Sequence, residues 1–335
     1  KTLRGGKTMQ RMGAPAPRIP RPPTETGGLP ELRIKNPEQL PQLSASRYRD
    51  LQEVARGGFG IVFKGHDTVL NQEVAIKVLH AEFDREGAER EALVLAKLRH
   101  ANIVAVYDVA KASPDLISRG AHLGDIVIVM EFLEEENFED LLCGTTPLTP
   151  DIRLAVCVEI VKAIEAAHGL GIIHRDLKPG NVKVGLKAGA LKVKVLDLGM
   201  ARVPGYFDPY AGKQAGTPAY MAPEQAQATA TNPRTDVWQL GVILYEALTG
   251  TTPFQGDDIE TLLSAIITQE PVAPSTLNAW IEPELEASIL KCLAKDAANR
   301  FAHAGELREA LETYLREAPA LREARKCLKE AHALN

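Results

Sequence analysis

The order of strand-like and helix-like segments constrains the fold of this chain most. Five short runs rich in β-branched and aromatic residues come first, and they surround one helix-periodic stretch, Ala88–Leu98. The runs are Tyr48–Ala55, Ile61–Asp67, Glu73–Leu79, Val104–Val109 and Ile126–Glu131. Helical periodicity then dominates, in Asp151–His168, Asp236–Leu248, Ile259–Thr268, Glu282–Leu293 and Ala304–Leu315. The pattern predicts an α+β protein with two lobes: a small antiparallel sheet with one helix, and a larger, mostly helical lobe.

Two helix ends and one helix core can be predicted in more detail. We expect Asp151 to cap the start of its helix and Gly250 to end the helix that precedes it. Val237–Leu248 is apolar almost all round, which predicts a helix buried at the centre of the helical lobe.

The first 46 residues differ in composition from the rest. They hold 8 of the 22 prolines, and residues 1–36 carry a formal charge of +6, although the whole chain carries −5. Such a segment cannot bury enough apolar surface to offset the entropy lost on ordering. We therefore expect residues 1–46 to be a flexible, basic, proline-rich arm. It is either a linker or tag, or a docking arm for an acidic surface or a proline-binding domain.

The composition of the whole chain excludes several classes of protein. With 335 residues, 45% hydrophobic and 25% charged, it is neither wholly disordered, nor collagen-like, nor a disulfide scaffold. No apolar run approaches the roughly 18 residues of a membrane span, and no secretory signal follows the N-terminus. The mild acidity gives no sign of nucleic-acid binding. The four cysteines are scattered without metal-ligand spacing, so we expect a reducing, cytoplasmic setting.

The two ends of the chain carry expectations of their own. Because the first residue is Lys1 and not methionine, we expect a piece of a longer protein. Residues 317–335 are charged and helix-prone, which predicts a helical tail or the start of a linker. A regulatory partner could bind through the arm or through this tail.

A glycine-rich segment, Ala55-Arg56-Gly57-Gly58-Phe59-Gly60-Ile61-Val62, is the first motif with chemical meaning. Glycines let backbone amides approach phosphate oxygens, but the same segment is often only a hairpin turn. About one strand further on, Lys77 ends Val74-Ala75-Ile76-Lys77. A lysine that neutralises phosphate charge needs a carboxylate to hold it, and Glu91 is the candidate.

The second cluster is far more specific. It comprises His174-Arg175-Asp176-Leu177-Lys178-Pro179-Gly180-Asn181, Asp197-Leu198-Gly199, and Gly216-Thr217-Pro218-Ala219-Tyr220-Met221-Ala222-Pro223-Glu224. Phosphoryl transfer needs a carboxylate near the attacking hydroxyl, oxygen ligands for Mg²⁺ and positive charge against the γ-phosphate. Asp176, Asn181, Asp197 and Lys178 supply these groups within a short span.

These segments resemble the signature set of protein kinases, and in particular the eukaryotic-like (Hanks-type) Ser/Thr kinases of bacteria. The resemblance covers residues 48–316 and implies a kinase domain over 47–316, with an N-terminal lobe at 47–133 and a C-terminal lobe at 134–316. Lys178, two residues after Asp176, favours Ser/Thr over Tyr specificity, as does the Gly216–Glu224 segment. The resemblance also implies ATP, with Mg²⁺ or Mn²⁺, as cofactors and proteins as substrates.

The resemblance implies three roles on the nucleotide side. Lys77 binds the α- and β-phosphates and pairs with Glu91, while the glycine-rich loop closes over them. Asn181 and Asp197 ligate the metal. The residues implied to line the nucleotide site are Gly57, Gly58, Gly60, Val62, Ala75, Lys77, Met130 as gatekeeper, Glu131 and Leu133 as backbone partners of adenine, and Lys183.

On the substrate side, the resemblance implies that Asp176 orients the hydroxyl and accepts its proton, while Lys178 contacts the γ-phosphate. Thr217 contacts both residues beside the substrate site. Asp236 braces the catalytic loop from the buried helix, and Glu224 forms a structural ion pair with Arg300. We expect His174 to be a packed core residue.

Several positions depart from the family pattern. Ala55 replaces the first glycine, which the turn tolerates only at negative φ. Lys183 replaces a leucine that the family pattern places under the adenine. Either the methylene groups of Lys183 pack under the adenine instead, or other residues form the floor of the adenine site. The stretch from Ala110 to Asp125 is longer than a usual connection between strands. It is either a regulatory insertion or a surface excursion.

The activation segment suggests an unusual mode of activation. Residues 200–216 contain no serine or threonine, so we expect activation without Ser/Thr phosphorylation there. In the family, a phosphate of the activation segment often pairs with the arginine at this position. Here either Asp208 or a partner protein would supply the anion for Arg175, or Arg175 would hydrogen-bond to backbone instead. Two other functions remain as alternatives: a pseudokinase-like nucleotide-binding scaffold, and a small-molecule kinase of related fold.

Overall fold

The computed structural model describes residues 40–57, 60–79, 92, 96, 98–144, 148–187, 190–197 and 216–333, with side chains up to residue 319. Helices and strands are numbered below in chain order within these residues.

A five-stranded antiparallel sheet forms the N-terminal lobe. The strands are β1 (Tyr48–Gly57), β2 (Gly60–Asp67), β3 (Gln72–Leu79), β4 (Val106–Lys111) and β5 (Ile126–Glu131), in the order β1-β2-β3-β5-β4. Alternating burial along β3 shows why these runs form strands: Val74, Ile76 and Val78 are fully buried, and the residues between them are less so. The predicted small antiparallel sheet is thus confirmed.

The two faces of this sheet carry different residues. The register pairs Ala75 with Met130 and Lys77 with Ile128, so these four side chains share one side, called here the Lys77 face. The other side carries Val74, Ile76 and Val78 of β3 together with Val127 and Val129 of β5, and is called here the Ile76 face. The first face is therefore available for chemistry while the second is packed as core.

The C-terminal lobe is mostly helical, as the periodicity predicts. Its helices are α2 (Phe138–Cys143), α3 (Pro150–Gly169), α4 (Pro223–Ala226), α5 (Pro233–Thr249), α6 (Ile259–Thr268), α7 (Pro274–Leu277), α8 (Pro283–Cys292) and α9 (Ala304–Ala333); α1 (Pro114–Ser118) belongs to the N-terminal lobe. Helix α5 is buried along nearly its whole length and packs against α3 and α8 at the centre of the lobe. This matches the apolar character of Val237–Leu248.

The observed helix ends confirm one predicted cap and correct the other. Gly250 ends α5 in the left-handed conformation (φ 82°), where its amide bonds to Glu246 O. The cap of α3 is Thr149 and not Asp151: its hydroxyl accepts from Ile152 N at 3.4 Å, and Pro150 fills the first helical position. Asp151 instead lies in the first turn.

A three-stranded sheet and a backbone bridge lead towards the site. The strands β6 (Glu136–Asn137), β7 (Val182–Lys187) and β8 (Ala190–Val195) lie in that order. Val104 N donates to Val195 O at 3.0 Å, and Val195 N donates to Asn102 O at 2.8 Å. These bonds tie the segment before β4 to the end of β8, two residues before Asp197.

The predicted arm is too long at its C-terminal end. Residues 40–46 are folded against the sheet: Leu40 and Leu43 are buried, and Gln42 pairs with Lys111 of β4. Arg47 then donates three hydrogen bonds to the buried carboxylate of Asp67. Burial of Leu40 and Leu43 thus stabilises a folded conformation of residues 40–46 in spite of the proline-rich composition. Residues 1–39 lie outside the described part of the chain.

Two other segments bear on the sequence-based expectations. The last helix runs from Ala304 to Ala333 with Pro319 inside it, so no helix end marks the predicted boundary at residue 316. The stretch from Ala110 to Asp125 contains α1, whose Leu116 is fully buried on the Ile76 face. Among the helices described, none is both long and apolar enough to cross a bilayer.

Candidate active site

The loop that carries Asp176 is held from below by Asp236 of α5. The Asp236 carboxylate accepts the amides of His174 and Arg175 at 2.8 Å each, and His168 Nε2 lies 2.8 Å from its Oδ2. Asp236 is 0% exposed. The three hydrogen bonds hold the loop rigidly against Asp236. Loss of any one of them would leave the buried carboxylate without one of its partners.

The pKa of Asp236 reflects two opposing influences. Burial on its own would raise the pKa of this carboxyl, but the hydrogen bond and charge of His168, the charge of His174 and the amide of Arg175 together bring it below its ordinary value. Asp236 is therefore ionised in the folded protein at neutral pH.

Two glutamines complete the brace, and sequence reasoning missed both. Gln239 of α5 donates to Arg175 O at 2.7 Å and accepts from Leu177 N at 3.0 Å. Gln225 of α4 donates to the same carbonyl at 2.9 Å. Arg175 itself is buried and has φ 70°, a conformation that non-glycine residues adopt only when their surroundings enforce it.

Asp176, Thr217 and Lys178 form one hydrogen-bonded unit. Thr217 donates its amide (2.9 Å) and its hydroxyl (3.0 Å) to Asp176 Oδ1, and Lys178 Nζ donates to Thr217 Oγ1 at 2.6 Å. Lys178 Nζ also lies 3.2 Å from Asp176 Oδ2. The structure therefore brings together the carboxylate, the cation and the activation-segment threonine that the sequence analysis assigned to one place.

Asn181 and Asp197 lie beside this unit. Asn181 Nδ2 donates to Asp176 O at 2.9 Å, which leaves the amide oxygen as the group that it can offer to a metal. Asp197 has φ 53° and pairs with the ammonium of Lys77, whose side chain is only 13% exposed. The lysine of the N-terminal lobe thus reaches the carboxylate at the end of β8.

These donors fit Mg²⁺ bound together with a nucleotide. Among the described residues, no group of three or more His, Cys, Asp or Glu side chains could hold a metal alone. Mg²⁺ commonly takes one or two protein oxygens and completes its shell with phosphates and water. Asn181 and Asp197 supply two such oxygens.

The other expected nucleotide residues lie on β2, β3 and β5 and just beyond the end of β5. Val62 is the cross-strand partner of Lys77, and Ala75 that of Met130. Glu131 continues β5, with its amide donating to Ala105 O at 2.8 Å, and Leu133 is buried just beyond it.

The glycine-rich hairpin needs a glycine at Gly60. Its φ is 140°, and a Cβ there would lie 1.8 Å from Val78 O. Gly57 pairs with Gly60 across the hairpin. Ala55 lies within β1 opposite Val62 and is not among the residues of positive φ, so alanine is tolerated where the family pattern has glycine.

Lys183 lies on β7, opposite Asn137 on one side and Lys194 on the other. Its neighbours Val182 and Val184 are buried, so alternation turns Lys183 to the other face, where it is half-buried. This placement is compatible with either reading of its role. His174 is fully buried, with its Nε2 3.2 Å from Leu196 O, as a packed core histidine would be.

A buried ion pair fixes the segment after Thr217. Arg300 meets Glu224 through two parallel bonds of 2.9 and 3.0 Å, and its side chain is 0% exposed. Thr235 adds a third bond to Glu224 at 2.8 Å. The expected pair is present, and it links α4 to the segment before α9.

Some expected site residues lie outside the described part of the chain. They are Gly58, Glu91, Leu198, Gly199 and residues 200–215, which include Asp208. The Lys77–Glu91 pair and the hypothesis about activation therefore stay predictions.

The fold and the site together define a two-lobed α+β protein with a loop cluster of Asp176, Lys178 and Thr217, and comparison with known proteins identifies the family. A family model described as protein kinase domain matches residues 48–313. The chain belongs to the protein kinase family.

Three curated relatives with similar sequences come from bacteria. A probable serine/threonine-protein kinase of Streptomyces coelicolor is 36% identical over 283 residues, covering 82% of this chain and 41% of that protein. Serine/threonine-protein kinase PknB of Mycolicibacterium smegmatis is 36% identical over 281 residues, covering 81% and 43%. A probable PknB of Lactococcus lactis is 34% identical over 276 residues, covering 80% and 42%. The chain spans about two fifths of the length of these relatives.

Proposed function

We propose that this chain is the catalytic domain of a Ser/Thr protein kinase, which transfers the γ-phosphate of ATP to serine or threonine hydroxyls of proteins. The observation that carries the proposal is the Asp176–Thr217–Lys178 unit beside Asn181 and Asp197. The names of the relatives support Ser/Thr specificity.

The residues of the unit divide the work of the reaction. Asp176 orients the acceptor hydroxyl and takes its proton. Thr217 holds the Asp176 carboxylate, and Asp236 holds the loop that carries it. Lys178 places positive charge where negative charge grows on the transferred group. Lys77 holds the phosphates from the N-terminal lobe. Mg²⁺, or Mn²⁺, held by Asn181 and Asp197 would neutralise charge on the β- and γ-phosphates.

The activation segment supports a finer proposal. Residues 200–216 hold no serine or threonine, so the kinase works without Ser/Thr phosphorylation there. Mass spectrometry of active enzyme after incubation with ATP tests this point. Phosphate absent from residues 200–217 in fully active enzyme supports it, whereas a required phosphothreonine at Thr217 contradicts it.

Further proposals concern the setting of the domain. Cys157 and Cys292 are free thiols, and burial raises the pKa of each to about 12, so both are unreactive, in keeping with a reducing cytoplasmic setting. The kinase domain is taken to span residues 47–316. The preceding arm or the following tail would contact a regulatory partner.

Transfer of radiolabelled phosphate from ATP to a generic basic protein tests the proposal. The account expects labelled phosphoserine or phosphothreonine in the product. Binding of Mg-ATP without transfer, measured by calorimetry, would instead support the pseudokinase-like scaffold. Transfer only to a small molecule would support the alternative of a small-molecule kinase of related fold.

A further inference from the structure

Strand β1 is only partly held by the sheet to which it belongs. In the described strand order it lies at one edge, with β2 as its neighbour. The pairing register shifts between Arg49 and Gln52 and again between Glu53 and Ala55. Such irregularities leave backbone groups of the strand without a partner in the ladder. Because β1 ends at Gly57, which is expected to lie at the nucleotide, any further contact that fixes β1 bears on ATP binding.

Residues 112–125, called here the β4–β5 insertion, supply such a contact from the opposite edge of the sheet. The insertion follows β4 and carries α1 across the Ile76 face. Leu116 of α1 is 0% exposed and belongs to the same apolar cluster as Ile61 of β2. Ala112 N donates to Asp125 O at 2.9 Å, which closes the two ends of the insertion. The insertion is therefore anchored in the core of the lobe.

Two hydrogen bonds join the β4–β5 insertion to β1. Arg119 Nη1 donates to Leu51 O at 3.0 Å, at the first irregularity of the strand. Arg56 Nη2 donates to Arg119 O at 3.1 Å, and Arg56 directly precedes Gly57. Glu53 accepts two further bonds from Arg56, at 2.8 and 2.7 Å, which hold the guanidinium in place. The insertion thus grips β1 near its middle and at its end.

Gly120 of the insertion lies directly against this guanidinium. Its φ is 106°, and a Cβ at this position would lie 3.0 Å from Arg56 Nη1 and 3.5 Å from Ile61 Cδ1. A glycine is needed here both for the positive φ and for the close approach. The contact between the insertion and β1 is therefore a fitted one and involves backbone as well as side chains.

We propose that Arg119 and Arg56 are positioning residues for ATP binding, through which the β4–β5 insertion holds β1 in the conformation that the nucleotide needs. The inference rests on the proposed function, in which the hairpin of β1 and β2 lies over the phosphates of ATP. A strand that is already held loses less conformational entropy when the nucleotide binds, so the affinity is higher. The insertion then has a role in the reaction and is more than a surface excursion.

Substitution of the two arginines tests the proposal. Arg119→Ala and Arg56→Ala each remove one bond between the insertion and β1. Each should raise the KM for ATP and the Kd of Mg-ATP by about three- to tenfold, the factor that one hydrogen bond provides. The kcat at saturating ATP and the KM for the protein substrate should stay close to the wild type. Arg119→Lys, which keeps a donor at this position, should restore most of the affinity.

The competing interpretation is that the insertion only covers the apolar face of the sheet. Both arginine side chains are more than 40% exposed, so their loss opens no cavity and should lower the Tm only slightly. Ser118→Ala is the matched control, because Ser118 is exposed and its hydroxyl bonds to Asp115 O within α1. Calorimetry with Mg-ATP that gives the same Kd for Arg119→Ala, Ser118→Ala and the wild type would overturn the proposal.

Hydrogen exchange without nucleotide gives a readout that does not depend on activity. Peptides covering residues 48–57 should exchange faster in Arg119→Ala than in the wild type and in Ser118→Ala. An unchanged rate in Arg119→Ala would overturn the proposed hold on β1. A wild type that binds Mg-ATP but transfers no phosphate would contradict the proposed function, whereas the Kd values and the exchange rates would still decide on this inference.

Discussion

Thr217 donates both its amide and its hydroxyl to the same oxygen of Asp176, at 2.9 and 3.0 Å. Thr217 therefore fixes the orientation of the carboxylate for which we propose the role of proton acceptor. Lys178 completes the arrangement through the Thr217 hydroxyl.

Thr217→Ala removes the hydroxyl and leaves the amide. We expect kcat to fall by about 10- to 100-fold, because Asp176 loses one of its two bonds to Thr217 and Lys178 loses the hydroxyl that accepts from it. The KM for ATP should change little. Thr217→Ser, which keeps the hydroxyl, should retain most of the activity in steady-state kinetics. A serine variant as slow as the alanine variant would contradict the role of this hydroxyl.

Asp236→Asn should destabilise the C-terminal lobe by about 3–5 kcal/mol. The substitution removes the buried negative charge, while His168 and the amides of His174 and Arg175 stay in place as donors. Because the folded pKa of Asp236 lies below the ordinary 3.8, its contribution to stability is complete above that value and is lost as the pH falls through the folded pKa. The difference in free energy of unfolding between wild type and variant should thus shrink on going from about pH 5 to pH 3. Urea denaturation at each pH measures it, and a constant difference would contradict the assignment.

Arg300→Lys should cost about 3 kcal/mol of stability, because lysine cannot make the two parallel bonds to Glu224 and leaves that carboxylate poorly paired. Arg308→Lys is the matched control. Arg308 pairs with Glu165 and Glu312 on the surface, where such pairs contribute about 0–1 kcal/mol. Equal losses in chemical denaturation for the two variants would count against a special role for the buried pair.

Gln239→Leu should lower kcat and stability together. It leaves Leu177 N without its acceptor and removes one donor from Arg175 O, at about 1–3 kcal/mol for a buried unsatisfied group. Gln269→Leu, at an exposed position after α6, provides the control. Wild-type kinetics for Gln239→Leu would show that the catalytic loop does not need this brace.

Gly60→Ala should abolish tight ATP binding or folding of the hairpin, because its Cβ would collide with Val78 O and its φ is 140°. Gly169→Ala has open space around the new methyl group and should behave as the wild type. The KM for ATP and the Tm of both variants check this. A normal KM for ATP in Gly60→Ala would mean that the hairpin has another conformation in the working enzyme.

The sequence predicted the two lobes and most of the site, because strand alternation, helical periodicity and the catalytic cluster are local signals. Lys77, Asp176 and Asp236 could be placed through their motifs. Gln225 and Gln239 could not, since a glutamine on a helix carries no pattern and acquires its role only through tertiary contact with Arg175 O.

The departures from the predictions have different physical causes: tertiary packing explains Leu40 and Leu43, whereas the local sequence sets the cap of α3. Leu40 and Leu43 were hidden in a proline-rich segment, yet each finds an apolar cluster. Helix α9 continues past residue 316 and through Pro319. Asp151 resembles a cap, but Thr149 takes that position because Pro150 starts the helix.

The rate of γ-phosphate transfer to protein, measured for Asp176→Asn beside Asp140→Asn, tests the central claim most directly. Asp140 is an exposed carboxylate of the same lobe. The account predicts that Asp176→Asn lowers kcat by about 100- to 10,000-fold while Mg-ATP still binds, and that Asp140→Asn matches the wild type. Equal rates for Asp176→Asn and the wild type would contradict it.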